Sequence, residues 1–197
     1  MRFRSVLPFC LAVIAAMLPA LAFAAPPAKP AAAQTPAAFH RVELKPASVF
    51  QGKPLPYTIE VPADWQVRQI EGFPGLWIGP EDAKPPKDPR LIWIHGSKVS
   101  MAKPEEIVAN IRSTDAEKAE WSAPRVEVKE VGGVRGVLVR MDAGEGGEAR
   151  SNLTLKVPLQ DLALDFVATA DRTEFEKNLA LYERILLSVR PVETAAK

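Results

Sequence analysis

Few residues in this sequence have the chemistry of a catalytic or metal site, and they do not cluster. The two histidines, His40 and His95, lie far apart, and neither has a second histidine three or four residues away, as a helical zinc site would require. We therefore expect no metal and no cofactor. His95 is interpreted as a half-buried residue near the end of a strand, with its ring bonded to the backbone.

The sequence also lacks the motifs of nucleophilic and phosphate chemistry. His95 could be combined with Ser97 or Ser100 into a triad, but there is no Gly-x-Ser-x-Gly nucleophile elbow. Residues 142–148 combine carboxylates with glycines, yet they have neither the order of a calcium loop nor the ending of a phosphate loop, so a flexible hairpin turn is expected there. We predict that the protein is not an enzyme, and a hydrolase stays only as a third hypothesis.

Tryptophan is the residue type best suited to bind a ligand here, because an indole ring can stack on a sugar or pack against an apolar group. Packing in the core or at its rim is the main interpretation for all four: Trp65, Trp77, Trp93 and Trp121. Two of them, Trp77 and Trp121, border loops and are therefore the candidates for a surface site.

A proline-rich loop at residues 80–89 is the best candidate for contact with another protein. It contains four prolines and charges of both signs, and proline lacks the backbone donor that a central strand needs. Lys84 and Lys87 lie in this loop and complete the candidate binding residues, together with Trp77 and Trp121. A solvated connection is the alternative interpretation.

The N-terminus has the layout of a cleaved secretory signal peptide spanning residues 1–24. Arg2 and Arg4 precede an apolar run, and Ala22-Phe23-Ala24 supplies small residues at the cleavage site. An uncleaved membrane anchor is one alternative. A lipoprotein anchor at Cys10 is another, although this cysteine lies inside the apolar run.

Cleavage of the signal would change the composition of the chain. The signal carries two arginines and no acidic residue, so 23 basic residues would face 24 acidic ones and no cysteine would remain. A near-neutral charge argues against nucleic-acid binding, and a chain without disulfides depends on its hydrophobic core. We expect a disordered Ala/Pro-rich tether at 25–39, one α+β domain at 40–192 and a tail at 193–197.

Alternation of apolar and polar residues predicts the first strands of that domain. Residues 57–61 read as a strand, 62–64 as a turn, and Trp65 as the start of a return strand, which together predict a hairpin. The run 90–96 is apolar on both faces, so we expect this strand to be covered on both sides.

The second half of the chain predicts a helix, four strands and a last helix. Pro104 suits a first helical turn, and four alternating strands between residues 126 and 168 are joined by short loops, as in an antiparallel meander. A capping box at Thr173 and Glu176 is expected to start the last helix, and Pro191 to stop it.

These elements resemble the PsbP-like and DcrB-like domains. The resemblance lies in Tyr-Thr-Ile-Glu-Val-Pro-Ala-Asp-Trp at 57–65, in the closing helix from Phe175 to Pro191, and in the element order between Pro54 and Val192. It implies a three-layer α/β/α sandwich, with an antiparallel sheet flanked by helices. Members are mostly small binding or accessory proteins without a shared catalytic motif, so no site residue is carried over. There is no photosystem-binding extension, so a photosynthetic role is not implied.

From the sequence we expect an exported, non-enzymatic accessory or protein-binding domain of the bacterial cell envelope. It would be periplasmic, with a protein partner, no nucleic acid and no membrane-spanning segment once the signal is removed. The alternative is a periplasmic module that binds a small ligand or a glycan through an exposed tryptophan.

Overall fold

The computed structural model describes residues 38–44, 55–85, 88–97, 103–115, 124–144, 149–159 and 162–192, without the side chains of 112–115. The predicted signal peptide, the tail and all but the last two residues of the predicted tether lie outside the described residues. So do Lys87 and Trp121. The first strand begins at Phe39, one residue before the predicted start of the domain.

Ten strands and two helices make up the described part of the chain. They are β1 (Phe39–Glu43), β2 (Tyr57–Pro62), β3 (Trp65–Arg68), β4 (Leu76–Pro80), β5 (Ile92–Ser97), α1 (Pro104–Asp115), β6 (Arg125–Val131), β7 (Val134–Ala143), β8 (Arg150–Leu159), β9 (Leu162–Asp171), α2 (Arg172–Leu187) and β10 (Arg190–Pro191). The strands form a three-stranded sheet, β1-β2-β10, and a seven-stranded sheet, β3-β4-β5-β9-β8-β7-β6. Every strand pair is antiparallel.

The predicted four-strand meander is confirmed as β6 to β9, whose consecutive strands pair with one another. Gly132 and Gly133 form the turn between β6 and β7 with φ of 59° and 82°. A side chain at either position would be strained in this left-handed region, so the pair of glycines fixes the register of the hairpin.

The prediction that residues 57–67 form a hairpin is wrong. Both strands form, but β2 pairs with β1 and β10, whereas β3 is the edge strand of the other sheet. At the turn between them, the Ala63 N–H donates to the Ala38 carbonyl at 2.7 Å. Alternation predicted the strands correctly but carries no information about partners, and β2 finds its partners near both ends of the domain.

The main core lies on one face of the seven-stranded sheet, which we call the closed face. Helix α2 packs there beside the three-stranded sheet and buries Phe175, Tyr182 and Ile185. These side chains meet a layer of fully buried residues from the sheet, including Phe166 and Ile94. The predicted apolar stripe of the last helix is thereby confirmed, and burial of this stripe is the main source of stability of the helix.

The predicted cap of α2 is wrong by two residues. Asp171 is the N-cap, and its carboxylate accepts a hydrogen bond from the Glu174 N–H at 3.0 Å. Thr173 lies inside the first turn. Asp171 and Glu174 have the same spacing as Thr173 and Glu176, so both pairs fit the capping-box pattern. Asp is preferred over Thr at the N-cap, and Asp171 occupies that position. The helix ends at Leu187, before Pro191, with Ser188 as its C-cap.

Among the described residues, the opposite face of the seven-stranded sheet, which we call the open face, is covered at its two ends. Helix α1 places Ile107 against Val137 and Val139 at one end. Trp77 packs with Ala83 and Leu91 at the other end. The expectation that β5 is covered on both sides is therefore only partly right: Ile92 and Ile94 are fully buried on the closed face, whereas Trp93 and His95 on the open face are half-buried.

The described architecture is thus mostly antiparallel sheet with two helices. Neither helix in the described part of the chain is both long and apolar enough to cross a membrane.

Candidate functional site

Side chains on the open face form rows, because directly opposed residues of neighbouring strands lie side by side. One row runs from β4 to β7 through Trp77, Trp93, Val167, Thr154 and Val139. The next row contains His95, Asp165 and Lys156. An apolar, aromatic row therefore lies beside a charged one, about 7 Å away along the strands.

The aromatic end of the first row borders a cavity of about 250 Å³, which we call the aromatic pocket. Its lining is formed by Phe73, Pro74, Trp77, Asp88, Leu91, Trp93, Val167 and Thr169. The lining is largely apolar, as in most pockets that bind small molecules or partner side chains.

The two tryptophans of the pocket are held by other rings. Trp77 and Trp93 stack with their ring centroids 5.9 Å apart, and Phe73 meets Trp77 edge-on at 6.0 Å. His95 lies against Trp93, with centroids 4.2 Å apart, and the Trp93 indole N–H donates to the Pro74 carbonyl at 2.6 Å. The indoles therefore form a fixed wall of the pocket and not a free surface for stacking on a sugar.

The loop that follows β4 closes one side of the pocket. Arg68 on β3 holds it, since the guanidinium donates to the carbonyls of Glu81 and Ala83 at 2.9 Å. At its far end, Asp88 pairs with Arg90 at 2.7 Å. The hydrogen bond from the Arg90 side chain lowers the pKa of the Asp88 carboxyl below its ordinary value, which keeps this wall residue ionised.

A second cavity of about 340 Å³, the polar groove, adjoins the aromatic pocket. It is lined by His95, Ile111, Val139, Met141, Asn152, Thr154, Lys156, Asp165 and Val167. Val167 lines both cavities. The aromatic pocket and the polar groove can therefore receive two parts of one bound molecule.

An ion pair between Lys156 and Asp165 forms part of the lining of the polar groove. Lys156 Nζ lies 2.5 Å from Asp165 Oδ2, and the two side chains are only 15% and 5% exposed. The other carboxylate oxygen, Oδ1, is buried and has no hydrogen-bond partner among the described residues. A buried acceptor of this kind is costly to leave unsatisfied, so it indicates a place where a donor belongs.

Other polar groups of the open face are oriented by their neighbours. Thr154 Oγ1 donates to Asn152 Oδ1 at 2.7 Å, which directs the Asn152 amide. His95 Nδ1 lies 3.1 Å from the Gly96 carbonyl, as expected for a half-buried histidine bonded to backbone. Trp77 Nε1 is a buried donor for which the described part of the chain supplies no acceptor.

Of the candidate residues predicted from the sequence, only some lie at this site. Trp77, expected at the surface, is buried at 6% exposure and forms a wall of the aromatic pocket. Lys84 is exposed on the loop after β4 and does not line either cavity. The positions of Lys87 and Trp121 in the fold fall outside the described residues.

Sequence reasoning missed the charged row. Alternation in β9 assigned Leu164, Phe166 and Ala168 to a buried face, and Asp165 stands between the first two. Its partner Lys156 lies opposite in β8, close along the chain. A carboxylate in the middle of a largely apolar strand, facing a lysine across a short turn, was a usable signal of a buried pair.

Within the described ranges, no group of three or more histidines, cysteines and acidic residues is arranged to hold a metal ion. The groups that line the open face can donate and accept hydrogen bonds beside an apolar cavity. This arrangement suits binding.

No protein-family model and no curated protein matches the sequence. Solved structures do have a similar fold. LpqN from Mycobacterium tuberculosis, a protein involved in cell envelope biogenesis, is 18% identical over 77% of this chain and 90% of its own, with a TM-score of 0.51.

Two further structures are more distant. The cyanobacterial PsbP protein CyanoP of Synechocystis sp. PCC 6803 is 11% identical over 85% of this chain and all of its own, with a TM-score of 0.49. PA94 from Pseudomonas aeruginosa, a protein of unknown function, is 13% identical over 67% of this chain and all of its own, with a TM-score of 0.44. At these identities the likeness is one of fold alone, and a PsbP protein is among the chains of similar fold.

Proposed function

We propose that this protein is an exported, non-enzymatic accessory domain of the bacterial cell envelope that binds a partner protein through its open face. The observation that carries the proposal is the aromatic pocket with the polar groove beside it, on a sheet face that α1 and the loop after β4 leave uncovered between them. Export to the periplasm is supported by the signal-peptide pattern of residues 1–24.

A protein partner suits the chemistry of this face. Interfaces gain most of their binding energy where a few apolar or aromatic anchors enter a pocket, surrounded by polar contacts. The aromatic pocket can hold such an anchor, and the polar groove supplies donors and acceptors next to it. The involvement of LpqN in envelope biogenesis, on a similar fold, supports an accessory role in the same compartment.

We also propose the three-layer α/β/α architecture that the PsbP-like resemblance implies. In a three-layer α/β/α description, α2 and the three-stranded sheet form the layer over the closed face. Helix α1 begins the layer over the open face, and the partner would complete it.

The proposal is tested by capture of a partner from envelope extracts with the purified domain as bait. Thr169 lines the aromatic pocket, so Thr169→Trp would fill the pocket. Glu127→Trp adds the same ring to the exposed edge strand β6 and serves as the control. We expect a partner that is retained by the wild type and by Glu127→Trp and lost with Thr169→Trp. Equal capture by all three proteins would contradict a role for the open face.

A second candidate function is a module for a small apolar ligand, favoured by the volume and the apolar lining of the aromatic pocket. The glycan form of this hypothesis has less support, because Trp77 is buried and Trp93 is engaged by neighbouring rings. Titration with fatty acids and soluble glycans, followed by tryptophan fluorescence, separates the two. A saturable change with a fatty acid, together with failure to capture a protein, would favour the ligand module.

A further inference from the structure

The polar groove has an acceptor and a donor placed side by side. Asp165 Oδ1 is buried without a hydrogen-bond partner in the described part of the chain, while Oδ2 of the same carboxylate binds Lys156 Nζ at 2.5 Å. An ammonium group has three protons, so Lys156 can still donate to another acceptor. The ion pair therefore combines, on adjacent strands, a buried acceptor that is unpaired among the described residues with an ammonium group that has protons to spare.

We propose that the open face recognises a neutral amide group of the partner, bound by Lys156 and Asp165, next to an apolar side chain in the aromatic pocket. An amide has a carbonyl that can accept from Lys156 Nζ and an N–H that can donate to Asp165 Oδ1. In a protein partner this is an asparagine or glutamine side chain near a bulky apolar residue. The inference rests on the proposed function, since it names the chemistry of the partner.

Charge excludes the other common polar groups. A carboxylate would place a second negative charge against Asp165, and an ammonium or guanidinium group would place a second positive charge against Lys156. In a site as buried as this one, repulsion of that kind is weakly screened. An ester lacks a donor, and a hydroxyl must donate and accept through one oxygen. An amide has its donor and its acceptor on separate atoms, as the pair Asp165 Oδ1 and Lys156 Nζ does, so a neutral amide fits best.

The aromatic pocket supplies the apolar part of the recognition. A cavity of about 150 Å³ lined by apolar side chains can bind benzene, and this pocket has about 250 Å³. Val167 lines both cavities, and Asp165 is two residues away on the same face of β9. An apolar group and an amide separated by about 7 Å, the spacing of such residues, would contact both.

The inference is tested with small probes in a titration followed by two-dimensional ¹H–¹⁵N NMR. The probe is 3-phenylpropanamide, which carries one ring and one primary amide. The matched probes are 3-phenylpropanoate, which is anionic, its neutral methyl ester, which has no amide donor, and 3-phenylpropylamine, which is cationic.

We expect the amide to shift the indole N–H signals of Trp77 and Trp93 together with the backbone amides of Lys156 and Asp165. The three matched probes should bind at least about tenfold more weakly. Asp165→Asn keeps the size of the side chain but replaces the acceptor Oδ1 with an amide nitrogen, which can only donate. This variant should therefore abolish the preference for the amide over the ester. Glu127→Gln, in the exposed pair with Lys129, should leave the preference unchanged.

Equal affinity for the amide, the ester and the carboxylate would overturn the inference, as would shifts that map away from the open face or no shifts at all. If Asp165→Asn does not fold, the probe series on the wild type decides alone. Failure of the probes while Thr169→Trp still loses a captured partner would remove the amide assignment and leave the proposed function standing. The reverse pattern would remove the protein partner and keep the amide site.

Discussion

The two faces of the seven-stranded sheet are built from the same strands but differ in the burial and the polarity of their side chains. On β9 the residues alternate: Phe166 on the closed face is fully buried under α2, whereas its neighbour Val167 on the open face is half-buried between two cavities. The closed face is apolar, while the open face includes the Lys156–Asp165 pair. The comparison indicates that the closed face stabilises the domain, whereas the described residues cover the open face only in part.

The largest difference is expected from truncating these two neighbours. Phe166→Ala removes a large, fully buried ring and should lower the free energy of unfolding by about 4 kcal/mol. Val167→Ala removes two methyl groups from a half-buried position and should cost under about 1 kcal/mol. Urea denaturation followed by circular dichroism measures both values. Similar losses for the two variants would mean that the open face belongs to the core.

The second prediction compares two lysine–carboxylate pairs. Lys156→Met leaves Asp165 buried without its partner and should cost about 3 kcal/mol. Lys129→Met removes an equally short pair with Glu127 whose side chains are 40% and 60% exposed, and should cost under about 1 kcal/mol. Thermal unfolding of both variants checks the difference.

The double variant Lys156→Met, Asp165→Leu tests whether the sheet needs charged side chains at these two positions. Replacing both charges with apolar groups should recover most of the stability that Lys156→Met loses, because no uncompensated buried charge remains. We expect this double variant to fold but to lose the binding described for the open face. A double variant as unstable as Lys156→Met would show that the pair is a structural requirement of the sheet.

The third prediction concerns the start of α2, the helix of the closed face. Asp171→Ala removes the hydrogen bond to the Glu174 N–H and should cost about 1 kcal/mol. Thr173→Ala, at the position where the sequence predicted the cap, should change stability by only a few tenths of that value. Chemical denaturation of the two variants side by side tells them apart, and a larger loss for Thr173→Ala would restore the cap predicted from the sequence.

The smallest effect is expected at the rim of the open face and depends on pH. The Arg90 hydrogen bond holds the pKa of Asp88 below its ordinary value of 3.8, so the folded state favours the ionised carboxylate. This contribution to stability is fully present above about pH 4 and is lost as the pH falls through the lowered pKa of the folded state.

Asp88→Asn should therefore reduce stability at pH 7 by about 0.5 kcal/mol and make almost no difference near pH 2. Unfolding in urea at the two pH values measures this change. A loss of equal size at both pH values would mean that the carboxylate contributes through its shape and not through its charge.

The sequence predicted the elements better than their arrangement. Alternation identified β2 and the meander from β6 to β9, because burial of one face imposes a period of two whatever the partner is. It could not show that β2 and β3 belong to different sheets, since pairing of β2 with β10 joins residues more than 120 positions apart. The last helix was recognised from Phe175 and Tyr182, but its cap was predicted at Thr173, because Thr173 and Glu176 have the same spacing as Asp171 and Glu174.

The site was harder to predict than the fold for a physical reason. Trp77 was identified as a candidate, yet what makes it part of a site is the stacking with Trp93 across a strand pair. Asp165 and Lys156 matter because both line the polar groove, whose lining also includes Ile111 of α1. A local sequence pattern does not show which part of a sheet face is covered by elements that are distant in the chain.

The central claim is that the partner binds on the open face and not on the closed side of the domain. A photo-crosslinking residue placed at Met141, a half-buried side chain that lines the polar groove, tests it directly in living cells without filling the aromatic pocket. The comparison is the same residue at Leu187, which is exposed on α2. We predict a specific crosslinked protein from position 141 and none from position 187. Crosslinking from position 187 alone would contradict the account.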